Sequence, residues 1–155
     1  MKKIVLTAVL AVLAIGAWGQ SNAVLDAFLD ESRPEADVAT SLLLVAQAAG
    51  ELPEDATADD GFAWGLDASF GKHVAKLAPE DPVSLGLFYL ALLKTFDIRG
   101  GLMFAAAGTP RYAAMEAAFR GYVEPSSLYY TRSMPPYEVL TGITYVLEDV
   151  EGGRM

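Results

Sequence analysis

Arg132 stands in a stretch where aromatic and charged side chains crowd together: Tyr129, Tyr130, Arg132, Tyr137 and Glu138. Aromatic faces beside a guanidinium suit a sugar ring or an acidic polymer, through stacking and arginine hydrogen bonding. They equally suit a protein interface. The same tyrosines could instead cover the domain's own hydrophobic core, and the sequence leaves both possibilities open.

Other chemistries find less to work with. His73 is the only histidine, between Lys72 and Val74, and reads as a helix-surface residue. Ser126, Ser127 and Ser133 lack the Gly-x-Ser-x-Gly elbow of a nucleophilic serine. Glu54, Asp55, Asp59 and Asp60 could offer oxygens to Ca²⁺, but they lack the alternate-residue spacing of an EF-hand loop, and helix capping explains them as well. Asp30-Glu31, Asp59-Asp60 and Glu148-Asp149 are adjacent pairs, which point apart on a helix and read as charged surface. Gly100-Gly101 follows a helix rather than a strand, so it is not a phosphate loop. No enzyme activity, metal or cofactor is expected.

The elements that must position these residues are helices. Asp81 to Leu102 is the central one: Asp81 as N-cap, Pro82 in the first turn, no charge from Leu85 to Leu93, and Gly100-Gly101 as the stop. An uncharged run of that kind predicts a helix enclosed by protein. It is too short to span a membrane, because Lys94 and Asp97 interrupt it. A short helix capped by Asn22 precedes a second opened by Pro34, with Glu35 and Asp37 in its first turn and an end at Gly50. Asp59 or Asp60 caps a weaker helix carrying Phe62, Trp64 and Leu66, weakened by Gly61 and Gly65. Leu102 to Ala107 reads as a connector. Pro110 starts an alanine-rich helix with Glu116 and Arg120 paired at i, i+4, and Pro136 opens the last helix.

The expected fold is therefore all-α, about six helices forming one small domain. Three helices open at a proline and close at a glycine, Pro34 to Gly50, Pro82 to Gly100 and Pro136 to Gly152, each preceded by a shorter helix. This predicts three helix–loop–helix repeats, with chance similarity in an alanine- and leucine-rich chain as the alternative.

Charge and the N-terminus give an address. Met-Lys-Lys, an apolar run from Ile4 to Ile15 and Gly-Ala-Trp-Gly-Gln make a secretory signal peptide over 1–19, cut after Gly19 or, failing that, after Ala23; an uncleaved anchor is the rival. The helical domain is then 20–155. With no cysteine, the chain can have neither a lipoprotein anchor nor disulfides, and packing alone must stabilise it. The formal charge is −9, and from Asp26 to Asp81 there are 13 acids against 3 bases, which disfavours nucleic acid and anionic lipid as partners.

Tyr112-Ala113-Ala114 through Arg120-Gly121-Tyr122-Val123, and Leu77-Ala-Pro79-Glu-Asp-Pro-Val83-Ser84, resemble the first helix and the second-helix turn of S-layer homology modules. The resemblance covers roughly 60–149. It implies helical pairs and binding of a cell-wall polymer. The family's Ile-Thr-Arg-Ala-Glu type run is reduced here to Val83-Ser84-Leu85-Gly86-Leu87, so of that signature only Arg132 and Glu138 carry over.

The reading is an exported, non-enzymatic envelope protein, periplasmic or envelope-associated. It would contact cell-wall glycan or another envelope protein through Tyr129, Tyr130, Arg132, Tyr137 and Glu138. Alternatives are a carrier of a small apolar ligand lined by Phe88, Phe96, Met103 and Phe104, a self-associating structural subunit, and a small hydrolase using carboxylates.

Overall fold

The computed structural model describes residues 25–30 and 34–153. The proposed signal peptide, the Asn22 cap and the Ser32-Arg33 break lie outside the described residues. Among those described, the chain is helical and holds no β-strand. After a helical turn at 25–28, the elements are α1 (Val38–Ala48), α2 (Ala58–Asp67), α3 (Gly71–Val74), α4 (Leu85–Thr95), α5 (Leu102–Ala107), α6 (Pro110–Phe119) and α7 (Pro136–Glu151). A 3-10 turn, Pro125–Ser127, interrupts the loop before α7.

The long helices α1, α4 and α7 begin from one place. The segments ahead of them exchange backbone hydrogen bonds in a closed ring: Ala36 N–H donates to Met134 O (2.8 Å), Met134 N–H to Val83 O (3.0 Å) and Val83 N–H to Ala36 O (2.8 Å). This ring moves two of the predicted helix starts. Pro34 and Pro82 do not open helices, because the residues after them stay extended to make these bonds. The N-caps are instead Asp37, whose carboxylate accepts from Thr40 N–H (2.7 Å), and Ser84, which accepts from Leu87 N–H (3.3 Å). Asp81 turns its carboxylate to Ala78 N–H (2.8 Å). Pro136 does open α7, as expected.

Every residue of α4 from Leu85 to Leu93 is buried, so the uncharged run marks the core as predicted. Each fully buried leucine contributes about 1.5–3 kcal/mol relative to exposure. The stop is not Gly100-Gly101. Asp97 adopts φ 49°, and Ile98 N–H bonds Leu93 O (2.9 Å) while Asp97 N–H bonds Lys94 O (3.3 Å), a Schellman end with aspartate in the left-handed position. The two glycines lie against α5 and α6 instead: a Cβ on Gly100 would come 2.4 Å from the Phe104 ring, and Gly101 N–H donates to Glu116 (2.8 Å). Glu116 also takes the predicted bond from Arg120 (2.9 Å). The expected connector, Leu102 to Ala107, is helix α5.

Helix α2 is capped by Thr57, not Asp59 or Asp60. Asp60 completes a capping box by accepting from Thr57 N–H (2.8 Å), and the Thr57 hydrogen bonds hold its carboxyl below the usual range. The glycines that weaken α2 locally are what let it pack. A Cβ on Gly61 would lie 2.6 Å from the Leu43 backbone, and one on Gly65 2.5 Å from Leu42 Cδ1. Gly61→Ala should therefore lower stability by about 1–2 kcal/mol in urea unfolding, the steric cost exceeding the ~1 kcal/mol gained in helix propensity.

Candidate functional site

After α6, Gly121 takes φ +80° and turns the chain so that Tyr122 and Val123 are buried. The loop that follows runs out along the surface and returns at Met134. Arg132 holds it in place from within. Its Nε donates to Ser127 O (3.0 Å), Nη1 to Ser133 O (3.3 Å) and Nη2 to Glu138 Oε2 (2.6 Å). The other Glu138 oxygen accepts from the Tyr137 hydroxyl (3.4 Å). The arginine clamps the loop to the first turn of α7, and the ion pair is partly shielded from solvent.

Beside this clamp is a recess of about 200 Å³. Tyr89 from α4, Tyr122 from the loop, and Tyr137 and Tyr145 from α7 line it, together with Arg132, Glu138, Glu124, Ser127 and Thr141. Three of the tyrosines form a row. Tyr89 stacks on Tyr122 with centroids 6.3 Å apart and planes 13° from parallel, and Tyr122 stacks on Tyr145 at 6.4 Å and 17°. Tyr89 donates to Tyr122 O (3.3 Å), and Tyr122 to Asp149 Oδ2 (2.5 Å). Gly142 admits the row: a Cβ there would come 2.7 Å from the Phe88 ring and 2.9 Å from the Tyr89 oxygen.

The structure thus brings Arg132, Tyr137 and Glu138 together and leaves Tyr129 and Tyr130 outside the recess. Tyr129 is 70% exposed, and Tyr130 uses its carbonyl to accept from Gly86 N–H (2.8 Å). Tyr129 and Tyr137, at 70% and 62% exposure, do not cover the core. The sequence reading missed Tyr89, Tyr122 and Tyr145. Only the Tyr137-Thr141-Tyr145 spacing, a stripe along one helix face, could have signalled part of the wall.

Two other predicted groups land differently. His73 sits in α3 half-buried, its Nε2 enclosed with no hydrogen-bond partner among the described residues. Burial, with Lys72 and Lys76 nearby, holds its pKa below the ordinary histidine value, so it is not a simple surface residue. Glu35, Asp37, Asp59 and Glu80 line an open acidic recess of about 410 Å³, yet no cluster among the described residues has the arrangement of a metal site. Of the proposed apolar-ligand residues, Phe88 and Phe104 are buried, whereas Met103 is exposed.

Among the described residues, no helix is long and apolar enough to cross a membrane. Compared with family models, curated proteins and solved structures, the chain matches none.

Burial pushes the Tyr122 phenol up to about 12, helped by its bond to the Asp149 carboxylate, and burial raises Tyr89 further still. Between pH 10 and 12 the folded chain keeps protons that the unfolded chain releases. The stability these phenols contribute is therefore complete below pH 10, the ordinary phenol value, and declines as pH rises toward 12. The Tyr89 and Tyr122 hydroxyls should give tyrosinate absorbance only as the helices are lost in alkaline unfolding. Titration of all seven tyrosines in one step while the helices persist would contradict this.

Proposed function

We propose that this chain is an exported, non-enzymatic envelope protein whose α-helical domain binds a cell-wall glycan or another envelope protein. The N-terminal sequence supports export to the periplasm or envelope. The observation that carries the binding reading is the recess itself: an aromatic wall next to a fixed Arg132–Glu138 pair, open to solvent. Such a surface suits stacking with a few oriented polar contacts. Both Glu138 oxygens already accept hydrogen bonds, one from a guanidinium, which favours a binding role over that of a general acid.

The backbone ring supports a three-unit arrangement like that of S-layer homology modules. Ala36, Val83 and Met134 each stand one residue before an N-cap, so the units are in register at Asp37, Ser84 and Pro135 rather than at the prolines first compared.

The test is co-sedimentation of the purified protein with cell-wall sacculi. Saturable pelleting is expected, and Tyr137→Ala, at an exposed ring, should weaken it about five- to tenfold with folding unchanged. Absence of pelleting would remove wall binding and leave an envelope protein as the partner.

A second reading, a carrier of a small apolar ligand, is favoured by one observation. Leu102, Met103, Met115 and Phe119 surround an open recess of about 290 Å³ between α5 and α6, with Leu102 83% and Phe119 88% exposed. Mass spectrometry of an organic extract should then show a stoichiometric lipid that Phe119→Ser loses. The same face would serve a self-associating subunit, and a monomer in sedimentation velocity at high concentration would remove that alternative.

A further inference from the structure

The polar groups around the tyrosine recess are unevenly matched. Arg132, the one cation of its lining, points all three kinds of guanidinium nitrogen at protein acceptors: Ser127 O, Ser133 O and Glu138. Three of the four tyrosine hydroxyls also donate inward, Tyr89 to Tyr122 O, Tyr122 to Asp149 and Tyr137 to Glu138. Arg120, the other guanidinium near the row, is held by Glu116 at 2.9 Å. The carboxylates are in excess. Glu124 and Glu138 line the recess against the single Arg132. The Glu124 carboxylate accepts only from the neighbouring Ser126 hydroxyl (3.3 Å) among the described bonds, and the residue is exposed.

A ligand for such a site has to supply hydrogen-bond donors and positive charge. The two exposed rings of the recess, Tyr137 and Tyr145, act in the same direction, because the negative face of an aromatic ring attracts a cation, and carboxylates at the rim add to that attraction. An anionic ligand would meet the opposite: a guanidinium already neutralised, and the Glu124 and Glu138 carboxylates at the rim. The volume, about 200 Å³, fits a side-chain-sized group rather than a polymer segment.

We propose that the tyrosine recess is a binding site for an ammonium group, such as the amine of an amino sugar, of a lysine-like side chain or of a methylated amine. This rests on the binding reading of the same recess and deepens it by assigning the sign of the ligand's charge.

The purified protein is titrated, at constant ionic strength, with tetramethylammonium chloride and in parallel with neopentyl alcohol, its neutral isostere, while tyrosine ring signals are followed by NMR. Saturable shifts of Tyr137 and Tyr145 are expected with the cation and not with the alcohol. Glu124→Gln should weaken the cation about two- to fivefold. Arg132→Gln should tighten it, because it removes the one positive charge; a site that used Arg132 for its ligand would weaken instead. If loss of the clamp loosens the loop, the Glu124→Gln comparison decides alone. Equal shifts with the alcohol, no shift with either, or no effect of Glu124→Gln overturns the proposal. Sacculi separate this from the broader reading. Pelleting that survives acetylation of the wall's free amines keeps wall binding and overturns the ammonium site as its basis. Tetramethylammonium binding without any pelleting does the reverse.

Discussion

The closed ring of backbone hydrogen bonds among Ala36, Val83 and Met134 is the constraint on which the other elements depend. All three residues are buried, so their amide and carbonyl groups must find partners or cost several kcal/mol in desolvation. No described segment is long enough to pair as a strand, and each instead gives its N–H to one neighbour and its carbonyl to the other. Two of the three joints extend further. Val38 and Ala39 N–H reach Asp81 O (2.9 Å) and Pro79 O (3.0 Å), and Leu85 and Gly86 N–H reach Arg132 O (2.9 Å) and Tyr130 O (2.8 Å). These are first-turn N–H groups that an isolated helix would leave to water. At the third joint α7 begins with Pro136, which has no N–H to give, and a side-chain bond from Ser133 to Glu35 stands near that place.

The ring and the recess share residues. Arg132 closes one joint with its carbonyl and clamps the recess with its guanidinium, so the loop cannot shift at one without disturbing the other. Tyr130 gives its carbonyl to Gly86, and its side chain is left outside the recess. The central helix contributes at both ends of this argument. Its first turn is tied to the ring, and Tyr89, one turn on, forms the inner end of the aromatic row. Two glycines set the distances: Gly86, where a Cβ would come 2.7 Å from Pro110 O, and Gly142 against Phe88 and Tyr89.

Much of the helical layout was legible in the sequence, because burial of the run from Leu85 to Leu93 follows from its lack of charge. The helix starts were less so. Pro34 and Pro82 look like N1 prolines locally, and what overrides them is pairing between segments far apart in the chain, which no local rule contains. The stop at Asp97 was hidden because a glycine pair stood three residues later, and a left-handed aspartate is the less common choice. Gly61 and Gly65 look unfavourable until α1 is placed against them. Within the site, Arg132, Tyr137 and Glu138 were legible because one loop and one helix turn carry them. Tyr89, Tyr122 and Tyr145 come from three elements, and their stacking is a product of the tertiary packing alone.

The row also explains why tyrosine, and not phenylalanine, occupies these places. Tyr89 is 2% exposed and Tyr122 8%, so each hydroxyl needs an acceptor, and each has one in the next part of the row: Tyr122 O for Tyr89 and Asp149 for Tyr122. Tyr145, at 41%, carries the row to the surface. A phenylalanine at Tyr89 would leave the stacking but remove the bond that fixes Tyr122 and the turn after Gly121. The hydroxyls therefore orient the rings, and the rings wall the recess. An exposed, unbonded aromatic cluster would lose side-chain entropy when a ligand ordered it. Here most of that ordering has occurred on folding, because the inner rings are held by the same contacts that build the core.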